Sequence, residues 1–254
     1  IVLRSVEYGE GNAIVTLLTG ELGKVGVMIR GAKKARSRHS AAAQPYTYGE
    51  YVFYKSAGTA GTLGTLNHAD LFDAFPGIRG DVRRSAYAAY IAELADRLLP
   101  EGEASAALFQ LVKGSFEALS AGKDPPIVGA IAELALFGYA GVAPVTDRCA
   151  VCGNETAPEE PVFWSPAAGG VVCRRCRAQA EDAAPLSPAV RALLSRLARL
   201  SPHRLGGVKL RADTKAGLRA ALNAWFHLHI DLRLRSKPVL EQLEAVFADD
   251  ADEA

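Results

Sequence analysis

Apolar and polar residues alternate over Lys24-Val-Gly-Val-Met-Ile-Arg30, and a period of two predicts a β-strand. Upstream, Ala13-Ile-Val-Thr-Leu-Leu18 sits between Gly11-Asn12 and Thr19-Gly20-Glu21, so the two segments read as a hairpin. Tyr46–Tyr54 is aromatic and β-branched, with Gly49 placed for a bulge or bend, and a weaker strand is expected around Thr62–Leu66. Five short strands in the first 70 residues suit a small closed barrel better than a sandwich, which needs roughly seven.

From Asp81 the period lengthens. Val82–Leu99, Ala104–Ser120 and Ile127–Tyr139 place apolar residues three or four apart and read as helices, punctuated by Pro100-Glu-Gly102 and Gly122-Lys-Asp-Pro-Pro126. Ser187-Pro188 is a helix start, with Ser as N-cap and Pro in the first turn. That helix gathers Val190, Leu193, Leu194, Leu197 and Leu200 on one face. At about 100° per residue, Arg191, Arg196 and Arg199 fall opposite. A long helix is expected from about Asp213 to Ser236, stopped by Pro238, then a short one over Val239–Phe247 and a disordered acidic tail, 248–254. The fold class is therefore α+β: an OB-fold barrel over residues 1–80, then a helical domain over 81–254 with a cysteine module, 149–176, inserted between the third and fourth of these helices.

Composition is that of a protein with a packed core, 49% hydrophobic and 22% charged, and the net charge is only +1. That total conceals segregation, because Arg191 to Lys237 carries eleven basic residues against two acidic ones. Clustered positive charge directs a protein to polyanions. No apolar run approaches the roughly eighteen residues of a membrane span.

All four cysteines fall in one window as two C-x-x-C pairs, Cys149/Cys152 and Cys173/Cys176. The twenty residues between the pairs lie within the roughly 15–20 of zinc ribbons. Two such turns supply the four thiolates of a tetrahedral structural zinc site, one Zn²⁺ per chain. Cys152-Gly153-Asn154 supplies a tight turn, Arg174, Arg175 and Arg177 offset the charge of a tetrathiolate, and Pro161–Ser165 with Gly169–Val172 resemble a ribbon hairpin. Four cysteines close the coordination shell, so the metal has no open position for catalysis. Reduced thiols and the lack of a span point to a cytoplasmic setting. Metal-free redox pairs are the alternative, but one pair suffices for that work.

The stretch from Leu22 to Ala43 carries six basic residues, Lys24, Arg30, Lys33, Lys34, Arg36 and Arg38, all six of them candidate nucleic-acid contacts, and no acidic one. A flexible basic loop on a small barrel suits single-stranded nucleic acid, with Tyr46, Tyr48, Tyr51, Phe53 and Tyr54 as candidate stacking faces. Aromatic strand residues are more often core, and an Arg face opposite a Leu face is what any surface helix shows. His68, Asp70 and Asp73 read as a turn after a strand, and His227 and His229 point different ways on a helix. No phosphate-loop, nucleophile-elbow or zinc-protease motif occurs, so no catalytic machinery is expected.

Glu10-Gly-Asn-Ala-Ile-Val-Thr-Leu-Leu-Thr19, Gly23-Lys24, Arg30-Gly-Ala-Lys-Lys34, Glu133–Pro144 and Asp147-Arg-Cys-Ala-Val-Cys-Gly153, in that order, resemble the bacterial recombination mediator family RecO, in its zinc-containing type. The likeness covers about residues 1–247. It implies a non-enzymatic DNA-repair protein of the bacterial cytoplasm and nucleoid, with no small-molecule substrate. Such a protein would bind single- and double-stranded DNA and anneal complementary strands. With RecR it would load RecA onto DNA coated with single-strand-binding protein, gripping that protein's C-terminal tail through its helical domain. The DNA-contacting positions would be Arg30, Lys33, Lys34, Arg36 and Arg38 on the barrel and Arg191, Arg196 and Arg199 on the helix. The alternatives are a zinc-ribbon interaction scaffold with incidental nucleic-acid contact, and a nuclease.

Overall fold

A computed structural model describes residues 1–55, 63–157, 160–207 and 210–252, the last five by backbone alone. Its first five strands are β1 (Val2–Tyr8), β2 (Asn12–Thr19), β3 (Gly23–Ile29), β4 (Tyr48–Tyr54) and β5 (Gly64–Asp73). They follow the order β1-β2-β3-β5-β4, antiparallel except where β3 meets β5, Val27 opposite Gly64 and Met28 opposite Thr65. Closure comes from Val2, whose N–H donates to the Thr47 carbonyl at 3.0 Å and whose carbonyl accepts from Tyr46 N–H at 2.7 Å. Strand alternation sends Ala13, Val15, Leu17, Val25, Val27 and Ile29 inward with Tyr51, Phe53, Leu66 and Ala69.

Gly49 sits at a register shift between β4 and β5, as expected of a bulge, and a Cβ there would lie 2.3 Å from the Asp70 carbonyl oxygen. β5 is longer than the sequence suggests. Thr62, where the strand was expected to begin, lies outside the described residues, while His68, Asp70 and Asp73 are strand residues and not a turn. Cross-strand pairing with Val52, Glu50 and Tyr48 holds these polar positions extended.

Two compact units follow from the packing, residues 1–125 with 234–244, and 126–233 with 245–254. In the first, the short α1 (Pro76–Arg79) leads to α2 (Val82–Leu98), whose N-cap Asp81 accepts from Arg84 N–H. Ser105 caps α3 (Ala106–Ser120) in the same way. The start of α7 (Ser236–Asp252) is held by Glu93 of α2, whose carboxylate accepts the Arg235 and Ser236 backbone N–H groups at 2.9 and 2.7 Å. Arg83 meets the buried Glu244 in a fork at 2.6 and 2.8 Å.

The second unit comprises α4 (Pro125–Tyr139, all but its first residue), the three-stranded sheet β6 (Val162–Ser165), β7 (Gly170–Cys173) and β8 (Ala184–Leu186), α5 (Pro188–Leu197) and α6 (Ala212–His229). Trp164 and Trp225 pack 5.5 Å apart, and their indole N–H groups donate to the Ala221 and Val142 carbonyls. α6 ends at His229, short of the Ser236 expected. Ile230 is extended, and buried or half-buried Ile230, Leu232 and Leu234 alternate with exposed Asp231, Arg233 and Arg235, a period of two that a helix does not supply. Pro238 belongs to the first turn of α7, where its missing N–H costs nothing. α7 runs on to Asp252, into the tail that composition assigns to disorder, since propagation adds one hydrogen bond per residue.

Replacing Gly49 with Ala forces backbone to move at the bulge. Thermal unfolding of Gly49→Ala is expected to show a loss of about 1–3 kcal/mol, and an unchanged midpoint would contradict the close approach.

Candidate nucleic-acid interface and metal centre

The basic loop leaves the barrel at the end of β3 and is hung from the β1–β2 turn. Asn12 Oδ1 accepts the Gly31 N–H at 2.8 Å, and the Gly11 carbonyl accepts the Lys33 N–H at 3.0 Å. Gly11 and Gly31 have φ of 76° and 66°, and the stem of Lys34 crosses both. Beyond this root the loop turns on itself, Lys34 N–H to Gly31 and Ser37 N–H to Lys34. Arg30, Lys33, Lys34, Arg36 and Arg38 are all exposed. Lys33 meets Glu7 at 3.3 Å, an exposed pair worth little in water. Partial burial, then the charges of Arg38 and His68, lower the His39 imidazole below its ordinary value, so Arg and Lys alone charge the loop at neutral pH. The Asn12 anchor was not singled out from the sequence, although Gly11-Asn12 and Gly31 end the same predicted hairpin.

Lys24 does not join this surface. It is 8% exposed, and its ammonium bonds the Asp96 carbonyl and, at 3.4 Å, the Asp96 carboxylate. An ion-paired lysine at the helix-packed end of the barrel is a structural strut, which corrects its assignment to DNA contact. The candidate aromatics are mostly spent on packing too. Tyr46 meets Phe116 edge-on at 5.4 Å, Tyr48 meets Phe72 at 5.3 Å, the Tyr51 hydroxyl donates to the Ala42 carbonyl, and Phe53 packs against the core. Tyr54, at 71% exposed, remains available.

The Arg face of α5 also divides. Ser187 caps the helix as read, its hydroxyl accepting from Val190 N–H. Arg191 is 8% exposed and donates to the Thr156 carbonyl and hydroxyl and, at 2.7 Å, to the Ala157 carbonyl. The segment between the cysteine pairs covers it, so it is removed from the basic face. Arg199 lies past the helix end and bonds Asp147 at 2.9 Å, whereas Arg196 is exposed on the helix. Lys209 lies outside the described residues.

The cysteines converge. Ala150 N–H donates to the Val171 carbonyl at 2.7 Å and draws the first pair onto β7. Gly153, with φ of 72°, completes the first turn, and β6 and β7 form the expected hairpin, to which β8 adds a third strand. The four Sγ atoms lie within 4.8 Å of one another, Cys152 and Cys173 at 4.0 Å. A tetrahedral thiolate site with bonds of about 2.3 Å separates its sulfurs by about 3.8 Å, so the set fits a metal ion. Burial raises the Cys149 thiol, but N–H donors from Cys173, Cys152 and Val151 outweigh it and lower it, while burial and the neighbouring thiols push Cys176 up to about 12, so the crowded set shares its protons unevenly and the case for a metal rests on the sulfur geometry. Arg174 and Arg175 are exposed, while Arg177 lies 5.5 Å over the Phe163 ring and bonds Ala180.

Fold and site together define a class: a strand-rich OB-like domain followed by a helical domain that carries a cluster of four cysteines able to hold a metal ion. The family model described as Recombination protein O N terminal matches residues 1–75, and Recombination protein O C terminal matches residues 79–238. The chain is 43% identical to the DNA repair protein RecO of Exiguobacterium sibiricum, over 96% of this chain and 95% of that one. It is 37% identical to the DNA repair protein RecO of Bacillus subtilis, over 97% and 94%. The chain belongs to the RecO family, whose role is DNA repair and recombination. Among the described residues, no helix is long and apolar enough to cross a membrane.

The two arginines of α5 are expected to separate on substitution. Arg191→Ala strands buried acceptors and should cost about 2 kcal/mol or more, while Arg196→Ala should stay within about 0.5 kcal/mol. Chemical denaturation of both variants checks this, and equal losses would contradict the burial of Arg191.

Proposed function

We propose that this protein is a recombination mediator that binds single- and double-stranded DNA and anneals complementary strands, making and breaking no covalent bond. The observation that carries the reading is the loop of five exposed cations, Arg30, Lys33, Lys34, Arg36 and Arg38, rooted at the end of a closed barrel. Membership of the RecO family supports it. The cations neutralise phosphates and release counterions, so two like-charged strands approach while Watson–Crick pairing supplies specificity. Arg196 adds a cation on α5. With RecR the protein would load RecA onto DNA coated with single-strand-binding protein, holding that protein's C-terminal tail through the helical domain, in the bacterial cytoplasm and nucleoid.

The metal is proposed to be one structural Zn²⁺ held by Cys149, Cys152, Cys173 and Cys176. When bound, it cross-links the two cysteine turns and supplies no chemistry to DNA. Metal analysis is expected to return one zinc per chain. Chelation should lower the unfolding midpoint before it weakens DNA binding by the barrel, and a chelated protein of undiminished stability would refute a structural role.

Fluorescence annealing of complementary oligonucleotides across a salt series tests the main reading. In the Lys33→Ala/Lys34→Ala variant, the slope of log affinity for a single strand against log salt should flatten by about 1.4, at about 0.7 per phosphate contact. Unchanged annealing and an unchanged slope would sink the assignment of the loop. A second reading, a zinc-ribbon interaction scaffold, draws on the internal pairing of Arg191 and Arg199, which leaves Arg196, of the three arginines read as one basic face, without a partner among the described residues. Loss of RecR binding with DNA binding intact, after substitutions in the helical domain, would favour it.

A further inference from the structure

The four sulfurs that converge in the second unit are not equally reachable. Cys149, Cys173 and Cys176 are 1%, 2% and 7% exposed. Cys152 stands in the open, as do its neighbours Val151, Gly153 and Asn154. A closed coordination shell offers no place to a further ligand, but each sulfur in it remains a thiolate, the form that attacks a peroxide. Access then decides which one reacts, and it selects Cys152. The second sulfur follows from distance. Cys173, at the end of β7, belongs to the other pair and lies 4.0 Å from Cys152, sulfur to sulfur. Its register opposite Val162 and its N–H, 3.4 Å from Cys149 Sγ, hold it there. Within the first pair a bond would constrain little. Cys149 N–H already donates to the Asn154 carbonyl, and Gly153 N–H to the Cys149 carbonyl, both at 2.9 Å.

We propose that Cys152 is a site of reversible oxidation by hydrogen peroxide, resolved by Cys173 into a disulfide that takes over the cross-link between the two cysteine turns. The inference rests on the structural zinc reading above and goes beyond it. Cys152 Sγ attacks one peroxide oxygen, the O–O bond breaks, and hydroxide leaves. The sulfur, oxidised by two electrons, is now a sulfenic acid. Cys173 Sγ attacks that sulfur, the S–O bond breaks, and a second hydroxide leaves. Two thiolates and one hydrogen peroxide thus become one disulfide and two hydroxides, the peroxide having taken both electrons. Cys149 and Cys176 remain, and two thiolates do not fill a tetrahedral shell. The new bond encloses the same residues, 153–172, that the metal encloses. Thr156 and Ala157, the acceptors of Arg191, lie within that loop, so it stays closed over α5 after the metal has gone.

The test treats the intact protein, reduced and loaded with zinc, with a small excess of hydrogen peroxide. Released zinc is read with a chromogenic chelator and free thiols are counted. The disulfide is mapped by mass spectrometry without reduction, after cleavage at glutamate and arginine. Cleavage after Glu155 parts the first pair from Cys173, and cleavage after Arg175 parts Cys173 from Cys176. Each chain is expected to release its zinc and lose two of its four thiols, with the bond joining Cys152 to Cys173. Dithiothreitol should restore all four thiols and zinc uptake. Oxidised protein should unfold at a higher temperature than the same protein reduced and chelated, because its loop is closed. A bond that leaves out Cys152 or Cys173 overturns the inference. So does Cys152 recovered as sulfinic acid beside a free Cys173, or survival of all four thiols. Oxidised protein no more stable than the chelated form refutes the cross-link. Reduced protein that takes up no zinc sinks the metal reading instead and leaves the disulfide map standing, so the two failures are distinguishable.

Discussion

A sheet that closes on itself divides every strand residue into interior and exterior, and here the closure is made at Val2 by its two hydrogen bonds with Tyr46 and Thr47. From that closure the parity of the whole barrel follows. Tyr51 and Phe53 are committed to the core, Tyr54 to solvent, and the basic loop must leave at the rim where β3 ends. The same geometry separates the two ends of the barrel. One end is tied to α2 through Lys24, Arg4 and Asp96. The other carries the glycine turn, Asn12 and the cations.

Much of this was legible along the chain, because it rests on local periods. The alternation of β3, the glycine at 49, the Ser187 cap and each C-x-x-C pair involve residues within one or two turns of each other. What was not legible depends on partners far away. Lys24 looks like one more loop cation until Asp96, 72 residues on, neutralises it. Arg191 sits opposite the leucine face of α5 on any helical wheel, yet a helix inside a layered unit can be covered on a second face. The break in helix from Ile230 to Leu234 was hidden by good helix formers on both sides, and only its period of two betrays it.

Arg191 also ties the metal module to the helix that follows it. A guanidinium at 8% exposure has lost its hydration, and the Thr156 and Ala157 oxygens that replace it belong to the segment between the two cysteine pairs. Whatever holds those pairs together therefore holds acceptors over α5, the helix that carries Arg196. Cross-linking Cys149 and Cys152 to Cys173 and Cys176 shortens the loop whose position Arg191 needs, and the entropy removed is that of the chain between them. A saturated tetrathiolate site is suited to this task, because it exchanges no ligand and asks nothing of the solvent.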